Sequence, residues 1–337
     1  MLEEPALLSQ TPKQLVTPAV NQPYWQIATS INTRKAYQSD IRHFIGAGGV
    51  LPASIEMLLH YLNQQATLVN PRTLKRRLVA IKQWHAYQDF PDPCAHPLIK
   101  KTLRGIARAH GQPPEKAPIL SVEQLMALST QLTADPSLCA SRDNALLQIG
   151  FFGAFRRSEL VGIQWDHVTF VPEGVEILIP RSKTDPEGQG EFCAIPYGQW
   201  PLCPVTALRQ WQEQSGLVEG FVFRAVRHEK CDLKKSLSPA TVNRIIKRHA
   251  IESQWPNAIN YSGHSLRRGF ATAASLRGAS LGAIMRQGRW RHEATVYGYI
   301  EAGLRFEANA AAAILEKPSR LPILSENLNQ NHAEYTG

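Results

Sequence analysis

The sequence predicts a mainly α-helical protein with a small antiparallel β-sheet, built as an all-helical N-terminal domain followed by an α+β domain. Three observations predict this fold class. Apolar residues recur at helical spacing between Ser30 and His110. A proline-rich, polar stretch, GQPPEKAP, then interrupts the pattern. Beyond it, two strand-like runs flank a polar loop. A chain of 337 residues is long enough for two domains that each bury a core.

The predicted domain boundaries follow from these changes of pattern. Residues 1–22 are rich in Pro, Gln and Thr and are expected to form a mobile tail. The helical domain is expected over residues 23–110, the linker over 111–118 and the second domain over 119–317. Residues 318–337 are expected to be a polar C-terminal tail.

Four helices are predicted in the first domain. The first is expected to be capped at Asn32-Thr33 and ended by the glycines that follow Ile45. The second starts near Ala53-Ser54, the third at Pro71, and the fourth spans Pro97 to His110. Their apolar faces are predicted to bury Tyr37, Ile41, Phe44, Ile45, Ile55, Leu58, Leu59, Leu62, Leu74, Leu78, Ile81 and Trp84.

The third helix carries a basic face that contains no acidic residue: Arg72, Lys75, Arg76, Arg77 and Lys82. A charged helix face is usually only solvated. The chain as a whole, however, has a formal net charge of +9 and a pI of about 9.4. That balance fits either a merely basic protein or one with a polyanionic partner, and an unbalanced basic face favours contact with phosphate.

The second domain is expected to begin with a capping box, Ser121-x-x-Gln124, and to be centred on an apolar helix from Arg142 to Phe155. Ile163–Val168 is expected to be extended. Two strands, Val175–Ile179 and Phe192–Ile195, complete a sheet of about three strands. The remaining predicted helices are Pro204–Gln214, one starting at Ser238-Pro239 with Arg244 and Lys247 on its outer face, and Leu304–Leu315.

Composition excludes several classes of protein. The five cysteines are widely spaced and form no C-x-x-C pair, so they predict reduced thiols in a cytoplasmic protein and neither a disulfide framework nor a zinc site. The N-terminus, MLEEPALLSQ, has no apolar core behind basic residues, so no signal peptide is expected. No apolar run reaches the length that spans a membrane, so no membrane association is expected.

Charged side chains next to the apolar helix and at the hairpin are the first candidates for chemistry. Arg156 lies in GFFGAFRRSEL, where it either forms a salt bridge with Glu159 or points into a pocket while Glu159 orients it. Lys183 stands at the tip of the predicted hairpin. Such a lysine is usually a solvated turn residue, but a hairpin tip can also carry a proton donor into a site.

The remaining candidates lie in GHSLRRGFATA and RQGRWRHEATVYGYI. His264 and Arg267 lie on the same side of a helix start, which suits a phosphate, although a lone histidine is most often structural. Trp290 is either a core residue or a hydrogen-bond donor through its indole N–H. Tyr297 and Tyr299 face nearly opposite sides of a helix, so only one of them can serve a site.

The joint order of these residues resembles the tyrosine recombinase (phage integrase) family over nearly the whole chain. RRSEL is similar to the first arginine box, RSKT to the β-hairpin lysine, and GHSLRRGFATA to the H-x-L-R box. In the last box the nucleophile follows the His-or-Trp position by nine residues, which selects Tyr299. NTRKAYQSDIRHF, PRTLKRRLVAIKQWH and PLIKKTLRGIAR resemble the family's helical core-binding domain.

Two features depart from the family pattern. Trp290 stands where most members have a histidine, which is a Cre-like feature and makes this residue a hydrogen-bond donor instead of an acid–base group. GAFRRSEL lacks the usual Thr-Gly-(Leu or Met)-Arg lead-in but keeps Arg156. The resemblance therefore implies a tyrosine-recombinase (α+β) catalytic domain with its full set of reacting residues.

The resemblance implies a site-specific recombinase that cuts and rejoins DNA strands through a 3′-phosphotyrosyl intermediate, without a metal, ATP or another cofactor. Tyr299 would be the nucleophile, since a phenol with a pKa of about 10 is a better nucleophile and leaving group than an alcohol. The implied supporting roles are phosphate binding by Arg156, Arg267 and Trp290, proton donation by Lys183, and orientation of Arg156 by Glu159. His264 would either hydrogen-bond a nonbridging oxygen or take the tyrosine proton. The alternatives are a catalytically inactive DNA-binding protein of the same fold and a type IB topoisomerase-like relaxing enzyme.

The resemblance also implies the partners. Double-stranded DNA with an inverted-repeat target site would lie in a clamp formed by the two domains. The expected DNA contacts are Arg34, Arg76, Arg77, Lys82, Arg244 and Lys247. A homotetramer on DNA would form through Leu304–Leu315, and the protein is expected in the cytoplasm, associated with the nucleoid of a prokaryote.

Overall fold

The computed structural model describes residues 29–113, 115–180 and 190–303. Four predicted features lie outside these residues: the tails 1–22 and 318–337, Lys183, and the helix Leu304–Leu315. The chain divides into two compact units, Met1–Glu115 and Lys116–Gly337. The division falls inside the stretch predicted to be a linker.

Unit 1 contains four α-helices in its described part: α1 Ile31–Gly46, α2 Ile55–Gln65, α3 Pro71–Tyr87 and α4 Pro97–His110. Side-chain caps explain where they start, because Ser54 and Asn70 accept backbone N–H groups from the first turns of α2 and α3. The prediction that Asn32-Thr33 caps α1 is wrong. Ser30 Oγ accepts the Thr33 N–H at 3.2 Å and is the cap.

The core of unit 1 is formed by apolar residues from all four helices: Phe44, Leu58, Leu62, Leu74, Ile81 and Ile99 are fully buried. Three predicted core residues, Tyr37, Ile45 and Trp84, lie outside this core, and Tyr37 is half-buried. Ile45 is 53% exposed, because one residue turns about 100° around the helix from the buried Phe44. Trp84 is only partly buried and stacks on Phe90, with their ring centroids 5.8 Å apart.

Unit 2 contains eight α-helices and five β-strands within its described residues. The helices are α5 Val122–Ala134, α6 Leu138–Phe152, α7 Arg157–Gly162, α8 Pro204–Ser215, α9 Pro239–Glu252, α10 Gly263–Leu276, α11 Leu281–Gly288 and α12 Glu293–Gly303. The strands are β1 Val168–Val171, β2 Gly174–Ile179, β3 Glu191–Pro196, β4 Arg224–Arg227 and β5 Lys230–Ser236. The predicted fold class, mainly helical with a small antiparallel sheet, is confirmed.

Helix α6 is the centre of unit 2, and nearly all of its residues are buried. It begins four residues before the predicted start at Arg142 and ends at Phe152, because the chain turns at Gly153 and Ala154. Its one buried carboxylate, Asp143, accepts hydrogen bonds from Arg142, Arg248 and His249. These partners offset the cost of burying a charge inside the core.

The predicted three-stranded sheet is present, with strand order β1-β2-β3 and antiparallel pairing. Val175 pairs with Ile195 and Ile177 with Cys193, and this alternation turns one face of the sheet to the core. The stretch Ile163–Val168 is not wholly extended, since Trp165–His167 forms a 3-10 turn before β1. The paired strands β4 and β5 are an additional two-stranded sheet that the sequence analysis missed.

Helices α10, α11 and α12 form a small separate apolar cluster at one end of unit 2. Its buried members are Ala154, Ala271, Ile284, Trp290, Val296 and Ile300. Tyr299 packs against this cluster and is half-buried. In the ranges that the structure describes, no helix is both long and apolar enough to cross a lipid bilayer.

Candidate active site

The first turn of α10 holds His264 and Arg267, and hydrogen bonds fix how that turn begins. Ser262 Oγ accepts the His264 N–H at 3.3 Å. Asn243 Oδ1, from α9, accepts the Gly263 N–H at 3.0 Å. The helix thus starts at a defined residue, and its first turn presents an exposed histidine and a buried arginine.

Arg267 is held by backbone carbonyl groups. Its Nη1 donates to the Ala154 carbonyl and its Nη2 to the Gly288 carbonyl at 2.9 Å. Its guanidinium lies over the Trp290 ring, with Cζ 4.5 Å from the ring centroid. Burial, followed by the nearby charge of Arg156, lowers the pKa of Arg267 to about 9, so the group remains charged at neutral pH.

Arg156 and Glu159 form a salt bridge, which is one of the two alternatives predicted from the sequence. Arg156 Nη1 lies 2.6 Å from Glu159 Oε1, and the Arg156 backbone N–H donates to Oε2 at 2.9 Å. The other end of the guanidinium donates through Nη2 to the Arg289 carbonyl at 3.2 Å. Arg156 is half-buried, so the guanidinium that pairs with Glu159 keeps part of its surface in solvent. The alternative that it points into a pocket stays a prediction.

Arg289 is a buried residue of the site that the sequence analysis missed. Its Nη2 donates to the Gly153 carbonyl at 3.0 Å and lies 3.3 Å from Glu159 Oε2. Its Cζ stands 4.7 Å from the centroid of the Phe155 ring. Burial would raise the pKa of the Glu159 carboxyl, but Arg289 and the hydrogen bonds from Arg156 outweigh it and hold that pKa below its usual value.

Two residues with left-handed backbone conformation supply carbonyl groups to this network. Ala154 has φ 45° and Arg289 has φ 54°. The Ala154 carbonyl accepts from Arg267, and the Arg289 carbonyl accepts from Arg156. A non-glycine residue in this conformation costs on the order of 1–3 kcal/mol, which packing must offset. Such strain concentrates at functional sites.

Trp290 and Tyr299 meet edge to face, with ring centroids 5.9 Å apart. Trp290 is buried and joins Tyr299 to Arg267, whose guanidinium it also contacts. Thr272 Oγ1 donates to the Tyr299 carbonyl at 3.2 Å and ties α12 to α10. Tyr297 is 46% exposed and has no such ring contact among the described residues. The structure thus brings Tyr299 to the arginines.

The electrostatics of the site are dominated by arginine. His264 keeps solvent contact, yet partial loss of hydration and the charges of Arg157, Arg267, Arg156 and Arg268 lower its pKa. Its imidazole is therefore neutral at physiological pH, able to donate through one nitrogen and accept through the other. Of these charges, that of Arg157 lowers the pKa of His264 most, and the sequence did not single this residue out. Its side-chain stem occupies the space beside the Gly263 Cα.

Lys183 lies outside the described residues, between β2 and β3. The described part of this hairpin is tied to the site region through Gln287. Its Nε2 donates to the Phe152 carbonyl at 2.9 Å and to the Ala194 carbonyl at 3.0 Å. The bond to Ala194 links β3 to the last turn of α11, and α11 directly precedes Arg289.

The six predicted DNA contacts differ in their surroundings. Arg77 was placed on the exposed face of its helix, and this placement is wrong. It is buried and donates to the Tyr61 hydroxyl at 3.1 Å, because an arginine that faces the core needs a polar partner there. Arg76 makes a two-pronged contact with the buried Asp40, at 2.8 Å and 2.7 Å. Lys82 Nζ lies 3.7 Å from Asp92.

The other three contacts remain accessible to a ligand to different degrees. Arg34 is half-buried near the start of α1, and Lys247 is half-buried on α9. Arg244 is exposed on α9 and donates to Thr241 Oγ1 at 2.9 Å. An exposed arginine held by a neutral hydroxyl keeps its charge available for a phosphate.

Comparison with known sequences identifies relatives. The model of the phage integrase family matches residues 120–303. An integrase/recombinase xerD homolog of Selenomonas ruminantium is 36% identical over 296 residues, covering 85% of this chain and 86% of the relative. The tyrosine recombinase XerC of Xylella fastidiosa strain M23 is 26% identical over 199 residues, covering 56% of this chain and 60% of the relative.

Comparison with solved structures agrees at the level of fold. XerH site-specific recombinase bound to a palindromic difH substrate superposes with a TM-score of 0.60 at 18% identity, covering 85% of this chain and 80% of XerH. A lambda integrase dimer bound to a COC′ core site gives a TM-score of 0.55 at 15% identity, covering 82% and 92%. Taken with the family match and the xerD homolog, these findings show that the chain belongs to the phage integrase family of tyrosine site-specific recombinases.

Proposed function

We propose that Arg156, His264, Arg267, Trp290 and Tyr299 form the active site at which this recombinase cuts and rejoins DNA. The observation that carries the proposal is a pair of contacts through which Trp290 joins Arg267 to Tyr299. Arg267 lies 4.5 Å from the centroid of the Trp290 ring, and that ring lies 5.9 Å from the ring of Tyr299. Tyr299 also acts electrostatically on Arg267, so a phosphate bound by Arg267 would lie near the phenol hydroxyl.

The cleavage step follows from these groups. The Tyr299 oxygen forms a bond to the scissile phosphorus, and the bond from phosphorus to the 5′ oxygen breaks. The phenol proton passes to a base, for which neutral His264 is the candidate, and Lys183 gives a proton to the departing 5′ oxygen. The phosphotyrosyl ester retains a phosphodiester bond, so attack by a 5′-hydroxyl group reverses the step with no external energy source.

The arginines would stabilise the negative charge that develops on the nonbridging oxygens. A guanidinium has five N–H donors, and the bonds of Arg267 to two carbonyl groups leave donors for a phosphate. Since these bonds already fix the side chain, little reorganisation is needed when the phosphate arrives. Glu159 and the Arg289 carbonyl would not contact the DNA; they would orient Arg156 by accepting its hydrogen bonds.

The test compares two tyrosines on the same helix. The measurement is a covalent protein–DNA complex, trapped on a nicked substrate and resolved on a denaturing gel. Tyr299→Phe should bind DNA and form no complex, because the nucleophilic oxygen is gone. Tyr297→Phe is the matched control and should form the complex at close to the wild-type rate. A covalent complex in Tyr299→Phe, or its loss only in Tyr297→Phe, would overturn the choice of nucleophile.

We further propose that the DNA target contains an inverted repeat, and that four copies assemble on paired sites through the predicted helix Leu304–Leu315. Binding to chromosomal DNA would localise the protein to the nucleoid. The palindromic substrate of the structurally similar XerH supports the inverted repeat. The apolar side of an alanine-rich helix that directly follows the nucleophile supports exchange between protomers. The xerD and XerC names of the relatives favour recombination over simple DNA binding or relaxation of supercoils.

A further inference from the structure

The segment Lys116–Leu120, here called the strap, contacts the two helices that carry the proposed catalytic residues. Lys116 Nζ donates to the Gly298 carbonyl at 3.1 Å, one residue before Tyr299. The Ala117 carbonyl accepts from Arg268 Nη1. The Leu120 N–H donates to the Ser265 carbonyl at 3.3 Å, on the helix turn that presents His264 and Arg267. Three successive points of the strap are thus bonded to α10 and α12.

The strap lies directly against the backbone of α10. At Gly269 a Cβ atom would overlap the Leu120 carbonyl oxygen, so a side chain at this position would push the strap away. Leu120 is fully buried, whereas Lys116 is exposed. One end of the strap is therefore anchored in the core, and the other end meets solvent beside the nucleophile.

Arg268 connects the strap to the tyrosine itself. Its guanidinium is buried between the Ala117 carbonyl and the Tyr299 ring, with Cζ 5.9 Å from the ring centroid. Within the described residues, its Nε has no hydrogen-bond partner. A buried cation with so few partners is costly, and an apolar residue of similar size would serve packing better. The arrangement is therefore explained by its effect on Tyr299.

We propose that Lys116 and Arg268 are positioning residues that fix Tyr299 in its reactive place. The proposal rests on the proposed function, in which Tyr299 attacks DNA. Lys116 acts on the backbone at Gly298, and Arg268 acts on the ring, so the two residues restrain α12 from two sides.

The test uses the full chain with Lys116→Met and Arg268→Met, which keep the side-chain stem and remove the donor. Covalent complex formation is measured in a single turnover at saturating DNA, together with Kd. We expect each variant to react about tenfold more slowly, with Kd changed by less than about threefold. Lys116→Arg and Arg268→Lys should recover most of the rate. The double variant should be little slower than the slower single variant, because both changes release the same restraint. Arg277→Ala, at an exposed arginine directly after the end of α10, is the control.

A second measurement is independent of activity: hydrogen exchange of the α12 amides in the DNA-free protein. Exchange should be faster in both methionine variants and unchanged in Arg277→Ala. Unchanged exchange in both, or slower reaction explained wholly by weaker DNA binding, would overturn the positioning role. If Arg268→Met fails to fold, the exposed Lys116 still carries the test. A wild-type protein that forms no covalent complex would refute the proposed function, while the exchange data would still decide the role of the strap.

Discussion

At the scale of single residues, the site orients its arginines mainly with neutral acceptors. The carbonyl groups of Ala154, Gly288 and Arg289 accept from Arg267 and Arg156. A carboxylate at each of these points would fix the side chains equally well but would cancel their charge. A carbonyl dipole fixes the direction of the guanidinium and leaves the positive charge for a phosphate.

The charge around His264 gives a prediction about pH. Partial desolvation lowers the pKa of His264 most, and the charge of Arg157 is the next largest cause. Arg157→Gln should therefore raise that pKa by removing the cation with the strongest effect. If neutral His264 takes the phenol proton, the cleavage rate falls as pH drops through this pKa. The acid limb of the pH–rate profile should therefore move to higher pH in Arg157→Gln.

The control for this prediction is Arg277→Gln, the same substitution at an exposed position directly after the end of α10. It should keep the wild-type inflection. An Arg157→Gln profile whose inflection stays at the wild-type pH, or moves to lower pH, would contradict the proposed interaction between these two residues. The rates should be measured in a single turnover, so that product release does not mask the chemical step.

At the scale of helices and strands, local signals were sufficient for prediction where local physics decides. The capping box at Ser121 and Gln124, the proline at the start of α3, and the bounds of α4 follow from the sequence. Strand β5, KCDLKKS, was missed because it has four charged residues and only two apolar ones, which is the composition of a solvated loop. Arg289 was missed because nothing in RQGRWRHE tells a buried arginine from an exposed one.

The site shows the same contrast between features that local sequence signals predict and features that packing decides. The motifs selected Arg156, His264, Arg267, Trp290 and Tyr299, and the structure brings these five together. The left-handed backbone at Ala154 could not be foreseen, since alanine has no preference for it and the conformation is imposed by packing between elements. The strap contacts join residues far apart in sequence and leave no periodic signal.

The end of helix α11 gives a prediction about packing. A Cβ atom at Gly288 would overlap the six-membered ring of Trp290, so Gly288→Ala should displace that ring from Arg267 and Tyr299. We expect a loss of about 1–3 kcal/mol in the free energy of unfolding and a slower covalent step. Denaturant unfolding and single-turnover cleavage measure the two effects.

The same helix supplies the control. At Gly282 a Cβ atom would meet only the end of the Arg286 side chain at 3.8 Å, so Gly282→Ala should be neutral or stabilising by up to about 1 kcal/mol. Equal effects at both glycines would show that the Trp290 position does not depend on the space at Gly288.

At the scale of the whole molecule, both units carry basic residues, but their availability differs. In unit 1, Arg77 and Arg76 serve Tyr61 and Asp40, so part of the basic face predicted from the sequence stabilises the fold. In unit 2, exposed Arg244 remains suited to phosphate contact. The net charge of +9 thus overstates the charge that can meet DNA.

The proposed assembly gives a prediction at this scale. Removal of residues 304–337, which include Leu304–Leu315, should leave binding to a single half-site close to wild type and abolish the pairing of two sites. The physical reason is that the half-site contacts lie elsewhere, whereas pairing needs surfaces shared between copies. Gel-shift titration and analytical ultracentrifugation on DNA separate the two outcomes. Wild-type recombination by the shortened chain would rule out this helix as the exchanged element.

The excess of arginine over carboxylate at the site has a consequence for the purified protein. Five arginines lie at the site: Arg156, Arg157, Arg267, Arg268 and Arg289. Glu159 is the one carboxylate that the described residues place among them. A site of this charge is a receptor for small multivalent anions in the absence of DNA. Sulfate or phosphate in the buffer would raise the melting temperature by binding only the folded state, and the same occupancy would weaken the apparent affinity for DNA. Stability screens that select such buffers would therefore choose conditions that inhibit the enzyme.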